Sequence, residues 1–176
     1  LDGDRPMSSI LKVSEIQDPT NNNSALTIDS SGRVAMPNVP AFGARGLSNS
    51  ETNGGNNTAN EILVFNEVLY NVGGHYNSST GVFTCPVAGS YFFMSSCLYE
   101  DDYNAQGGFY IRLNGSGSST TGEKYRGYHK GSGSNYLQVT AGGVIVAAAN
   151  DTVDVFTNIA GWHVGGESAF SGYFIG

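Results

Sequence analysis

The sequence predicts an all-β chain, a sandwich of short strands behind a small N-terminal segment, and three observations predict it. The 176 residues include 25 Gly, 17 Asn and 20 Ser, with charged residues at only 13%. Glycine is about twice and charge about half its usual share, so the chain is rich in turns and covers itself with neutral polar groups. Apolar residues alternate with polar ones in several stretches, and none keeps a helical stripe. Finally, Asn60 to Leu98, NEILVFNEVLYNVGGHYNSSTGVFTCPVAGSYFFMSSCL, reads as three strands punctuated by turns.

The first of these strands runs from Ile62 through Phe65 to Leu69 and Tyr70 and ends at Asn71 and Gly73-Gly74, a strong turn signal. The second, Gly81 to Val87, alternates Val82, Thr84 and Pro86 with Phe83, Cys85 and Val87, so one face can be buried and the other not. Ala88, Gly89 and Ser90 then turn into Tyr91, Phe92, Phe93 and Met94. Both faces of this third strand are bulky. It is expected to be covered on both sides, by a sandwich core or a subunit contact.

Length suits one domain plus an appendage. Residues 1–6, LDGDRP, lack the basic head and apolar centre of a signal peptide and read as leader or processing residue, with Met7 the more natural start. In the stem, 7–38, Leu26 and Ile28 alternate with Thr27 and Asp29, and Ser30-Ser31-Gly32 turns the chain toward Val34 and Met36. That small hairpin is marginal on its own and must lean on a partner, such as further copies of itself. Pro37 and Pro40 favour extended backbone and mark the boundary to a head over 39–176.

Beyond an exposed loop rich in Asn, Ser, Gly and Thr before Asn60, the head continues past Leu98 with a loop, Tyr99 to Gly108. Phe109, Ile111 and Leu113 then share a face opposite Tyr110, Arg112 and Asn114. Residues 115–122 and 131–135 read as flexible tips around Glu123 to Lys130. Tyr136 to Ala149 is expected to form two short strands about Gly142-Gly143, with Ala147, Ala148 and Ala149 allowing close backbone approach. Val153, Val155 and Thr157 alternate with Asp154, Phe156 and Asn158, and the loop Gly161 to Glu167 holds Trp162 beside His163.

The net charge of -7 and scattered basic residues argue against nucleic acid as a partner. The longest near-apolar run, Val139 to Ala149, is too short to cross a bilayer. Cys85 and Cys97 sit too far apart along a hairpin to bond, and are expected as buried free thiols. No nucleophile elbow, zinc-protease, phosphate-loop or dinucleotide motif occurs, and His75, His129 and His163 fall in separate loops. No enzyme and no cofactor is expected. Glu100, Asp101 and Asp102 are weak calcium candidates, because three consecutive carboxylates cannot all turn to one ion. Tyr99, Tyr103, Tyr125, Tyr128, His129, Trp162 and His163 fall in predicted loops, where such side chains offer stacking area for a glycan or protein ligand or else close the ends of the sandwich.

Phe65, Val68, Asn71, Tyr76, Asn77, Thr80, Gly81, Phe83, Thr84, Cys85, Pro86, Val87, Gly89, Tyr91 and Phe93, with Phe109 to Gly115, Asn150 to Val153 and Phe170 to Phe174, together resemble the globular head of the complement C1q family, which is related in fold to tumour necrosis factor. Ala41, Phe42 and Ala44 resemble its opening strand. The resemblance implies a ten-stranded jelly-roll homotrimer that binds partners through outer loops and has no catalytic site. Its expected subunit contacts here are Phe42, Tyr91, Phe93, Ala147 and Tyr173. Some members carry calcium ligands before the Val-rich strand, but this chain has no acidic residue from Lys124 to Asn150. The stem, SILKVSEIQ followed by ALTIDSSGRV, resembles those of phage tail fibres and virion appendages. It implies attachment to other virion proteins, contact with a host cell-surface glycan or protein, synthesis in the host cytoplasm and action outside the cell, without membrane insertion. The alternatives are a flexible leader in place of the stem, a passive capsid or tail decoration, and a secreted cellular recognition module of the same fold.

Overall fold

The computed structural model describes residues 11–48, 58–99, 106–130, 136–163 and 165–176 and divides the chain into two compact units, Leu1–Asn38 and Val39–Gly176. In the first, β1 (Glu15–Gln17), β2 (Ser24–Ile28) and β3 (Val34–Ala35) form an antiparallel sheet in the order β1-β2-β3. The expected hairpin is β2 and β3; β1 adds a third strand on the far side of β2.

The second unit is an all-β, jelly-roll-like sandwich. Its strands are β4 (Ala41–Leu47), β5 (Glu61–Ile62), β6 (Phe65–Val72), β7 (Tyr76–Asn77), β8 (Val82–Thr84), β9 (Gly89–Tyr99), β10 (Gln106–Leu113), β11 (Glu123–Lys130), β12 (Leu137–Ala147), β13 (Thr152–Thr157) and β14 (Ala169–Phe174). One sheet has the order β12-β9-β14-β4-β6; the other runs β11-β10-β13-β8-β7, with β5 also on β13. Every pairing is antiparallel.

Between the sheets lies an aromatic core. Phe42 stacks on Tyr76 (4.6 Å between centroids) and Phe83 (4.9 Å) and meets Phe170 edge-on (4.9 Å). Tyr91 and Phe93 lie in the same cluster, 5.9 and 5.6 Å from Phe83. The one polar atom of Tyr76 is satisfied there, its hydroxyl donating to the Phe65 carbonyl at 2.9 Å. Cys85 and Cys97 are buried free thiols.

Residues 137–147 form one continuous strand rather than two. Gly142 and Gly143 are not a turn. A Cβ on Gly142 would stand 2.5 Å from the Phe93 carbonyl oxygen, and one on Gly143 would run into the Tyr125 ring. These glycines let neighbours approach closely. Likewise Glu123–Lys130, with Tyr125, Tyr128 and His129 expected in loops, is a strand at the edge of its sheet, paired with β10 from Gln106↔Lys130 to Arg112↔Glu123 with a register shift between Ile111 and Arg112.

Candidate interaction surface

The aromatic residues expected in binding loops divide by environment. Trp162 and Tyr99 are 0% and 1% exposed and belong to the core. Trp162 meets Phe109 and Tyr99 edge-on (5.4 and 5.2 Å), and its Nε1 donates to Thr157 Oγ1 at 2.7 Å. Both residues are therefore not ligand candidates but the closure of one end of the sandwich: a bulky ring with one donor is cheaply buried when that donor has a partner. His129 lies half-buried against Tyr99 (4.5 Å), and Tyr125 is half-buried with its hydroxyl donating to the Val144 carbonyl at 2.7 Å. His163 packs on the Tyr136 ring (5.7 Å) with its Nδ1 3.3 Å from the Glu167 carboxylate. Tyr128 alone of the described candidates is well exposed, on the outer face of β11. Tyr103, Asp101 and Asp102 lie outside the described residues. Among the described residues no three His, Cys, Asp or Glu side chains gather as a metal site.

The expected subunit contacts need a larger correction. Phe42, Tyr91, Phe93 and Ala147 are all buried, at 0%, 0%, 0% and 4% exposure, within this one chain. Of that group Tyr173, half exposed, is on the surface. The reason is the two-residue period of a strand. Along β9, burial alternates, with Tyr91, Phe93, Ser95 and Cys97 inside and Phe92, Met94, Ser96 and Leu98 on the other face. The surface residues of this strand are the intervening ones.

Registers then assemble that outer face across all five strands, because directly paired residues point to the same side. One row is Val144, Phe92, Tyr173, Ala41 and Val72; the next is Gly142, Met94, Ser171, Gly43 and Tyr70. Val146 and Ser90 continue the apolar end, where Ile175 joins through its N–H to the Ser90 carbonyl at 2.8 Å. The Tyr70 ring packs against Gly43, where a Cβ would stand 2.6 Å from it, and the Phe92 and Tyr173 ring centroids lie 5.6 Å apart. Val144 is 50% and Val146 74% exposed.

Toward the other end the same face turns polar. Ser96 and Thr140 share a hydrogen bond (2.8 Å), Gln138 Nε2 donates to Ser96 Oγ (2.8 Å), and Arg45 pairs with Glu67 at 2.7 Å. The Arg45 guanidinium holds the Glu67 carboxyl below its ordinary range. The apolar part spans about 20 Å across the strands and about 15 Å along them, roughly 300 Å² in projection. That is comparable with the largest apolar patch a monomeric protein ordinarily exposes, and such patches are often functional.

A C1q domain family model matches residues 46–175, about three quarters of the chain. The chain belongs to the C1q domain family. Among curated C1q relatives, a complement C1q subcomponent of the mouse (Mus musculus) is 31% identical over 118 residues, covering 66% of this chain and 44% of the relative. Mouse complement C1q tumor necrosis factor-related protein 7 is 32% identical over 116 residues, 64% of this chain and 38% of the relative. The chain therefore spans less than half the length of these relatives. The C1q sandwich is similar to solved structures of the globular domain of zebrafish complement 1qA protein (TM-score 0.59, 19% identity, 78% of this chain and 98% of that one) and of murine APRIL (TM-score 0.59, 12% identity, 78% and 99%). These likenesses carry the fold.

Proposed function

We propose that the C1q head is a binding module, not an enzyme, that self-associates through the outer face of the five-stranded sheet and presents its remaining surface to a ligand in several copies at once. The observation that carries this is the apolar row running unbroken through Val144, Phe92, Tyr173, Ala41 and Val72, with a polar strip at one end to fix register. Burial of apolar area drives association, and the uncharged middle of the face costs little to desolvate. The number three comes from the family resemblance. A homotrimer multiplies a weak contact at each head through effective concentration.

Light scattering tests the assembly. The unaltered chain should give three times its 18.5 kDa mass, and Val144→Glu with Tyr173→Glu should return it to the single-chain mass with the fold kept. An unaltered chain that stays single at micromolar concentration overturns the proposal.

The finer reading is that the head tips a phage tail fibre or virion appendage, held to virion proteins by the 7–38 stem and contacting a host surface glycan or protein. It rests on the resemblance of the stem. Exposed Tyr128 is the favoured contact, since Tyr110 and Arg126 beside it are already engaged with each other (5.0 Å). Tyr128→Ala should lower host-cell binding with the trimer intact, and the protein should sediment with particles.

A further inference from the structure

Not one of residues 11–38 is buried, yet they form a hydrogen-bonded sheet. Its registers pair Ile16 with Leu26 and Ile28 with Val34, and Leu26 and Ile28 are two apart on β2. All four therefore share one face. Glu15, Thr27 and Ala35 are paired across the other. This is the clean alternation of a sheet that packs on one side, but Ile16 is 46% and Val34 56% exposed.

The register is specified, not accidental. Asp29 closes the β2–β3 turn, accepting the Ser31 and Arg33 N–H groups (2.8 and 3.0 Å) and the Arg33 Nε (2.6 Å); Asp18 accepts the Thr20 and Asn21 N–H groups between β1 and β2 (2.8 and 3.1 Å). A slip of one residue would turn the apolar set to the other side. Strands of 3, 5 and 2 residues with no core fall short of what an isolated sheet needs.

We propose that the apolar face of this sheet is completed by the same face of other copies of the chain, so that the stem is a second assembly element that orders as the copies come together. The inference rests on the reading of the head as self-associating. Asn38 is joined directly to Val39, where the head unit begins, so contacts between heads hold the stems at an effective concentration in the millimolar range for so short a tether. The face itself carries no ionisable side chain to select a foreign partner, and residues 11–38 hold two basic and three acidic groups, too little charge to drive copies apart.

Cross-linking of the full chain tests it. Val34 and Ala35 are neighbours on opposite faces, and both are exposed. The native thiols are silent, since burial pushes both to about 12. With a short bismaleimide, Val34→Cys should yield covalent dimers many-fold faster than Ala35→Cys at equal concentration. Light scattering on the same samples separates the outcomes. Assembled heads with both variants unlinked, or linked equally, overturn the stem inference alone. Single-chain mass without links overturns this inference and the head reading together. Linking through Val34→Cys that is as fast in the face-disrupted head (Val144→Glu with Tyr173→Glu), single in mass, as in the unaltered head reports random encounter and overturns the stem inference; linking that falls with the disrupted head supports it.

Discussion

The outer faces of the two sheets carry similar side chains and meet different fates. On the six-stranded sheet, Tyr110 and Phe156 point away from the core yet are only 4% and 1% exposed. The chain covers them itself. The Arg112 guanidinium sits 4.2 Å over the Phe156 ring, pairs with Asp154 through both Nε (2.7 Å) and Nη2 (2.8 Å), and through Nη1 donates to the carbonyls of Gly117 and Ser119, drawing the 115–122 tip down. On the five-stranded sheet, Tyr173, Val144 and Val146 occupy equivalent outward positions and stay half or more exposed. One face is finished within the chain, the other is left uncovered by it. An outward-facing aromatic residue is thus no sign of an interface until its covering is known.

The sharpest way to break this comparison uses adjacent residues on β9. Phe93→Ala, inside, should cost about 3–5 kcal/mol in denaturant unfolding, as a buried aromatic truncation does. Phe92→Ala, outside, should cost the single subunit far less and act on assembly instead. Equal losses in a dilute, unassembled sample would erase the distinction between the faces.

Of similar size is the effect expected at the finished face. Asp154→Ala leaves a buried guanidinium without its carboxylate and should cost about 3–5 kcal/mol, whereas Asp154→Leu with Arg112→Met should recover most of it. A double variant no more stable than the single one would show that the loop tethers, not the ion pair, close that face.

The smallest effect concerns the thiols. Cys85 and Cys97 are pushed from an ordinary 9.0 up to about 12, by burial first and, for Cys85, by the nearby Asp151 charge. The folded thiols stay protonated where unfolded ones ionise. Their contribution to stability is full below pH 9.0 and is lost as the pH rises from there toward about 12. Replacing both with Ala should flatten the alkaline limb of the stability profile, and iodoacetamide should label neither in the native chain at pH 8. Rapid native labelling would contradict their burial.

Alternation in residues 82–87, 109–114 and 153–158 is local, set by side chains leaving a strand on opposite sides, and so the β class and the faces of β10 and β13 were legible in the chain alone. Where a residue's environment depends on distant partners, local pattern misled. Gly142-Gly143 looked like a turn because their reason, the Tyr125 ring and the Phe93 backbone, lies on other strands. Trp162 looked like a loop ligand because Phe109, Tyr99 and Thr157 reach it only in the folded chain.

The same division governs the surface proposed for assembly. By itself the sequence determined that β9 is bulky on both sides, since Tyr91, Phe92, Phe93 and Met94 are consecutive. Which side is core could be decided only by the tertiary structure, because period two offers two equivalent faces and nothing local breaks the tie. The sandwich breaks it by placing Phe83 and Phe42 against Phe93, while the registers of β12, β14, β4 and β6 align Phe92 and Met94 with the outward residues of four other strands.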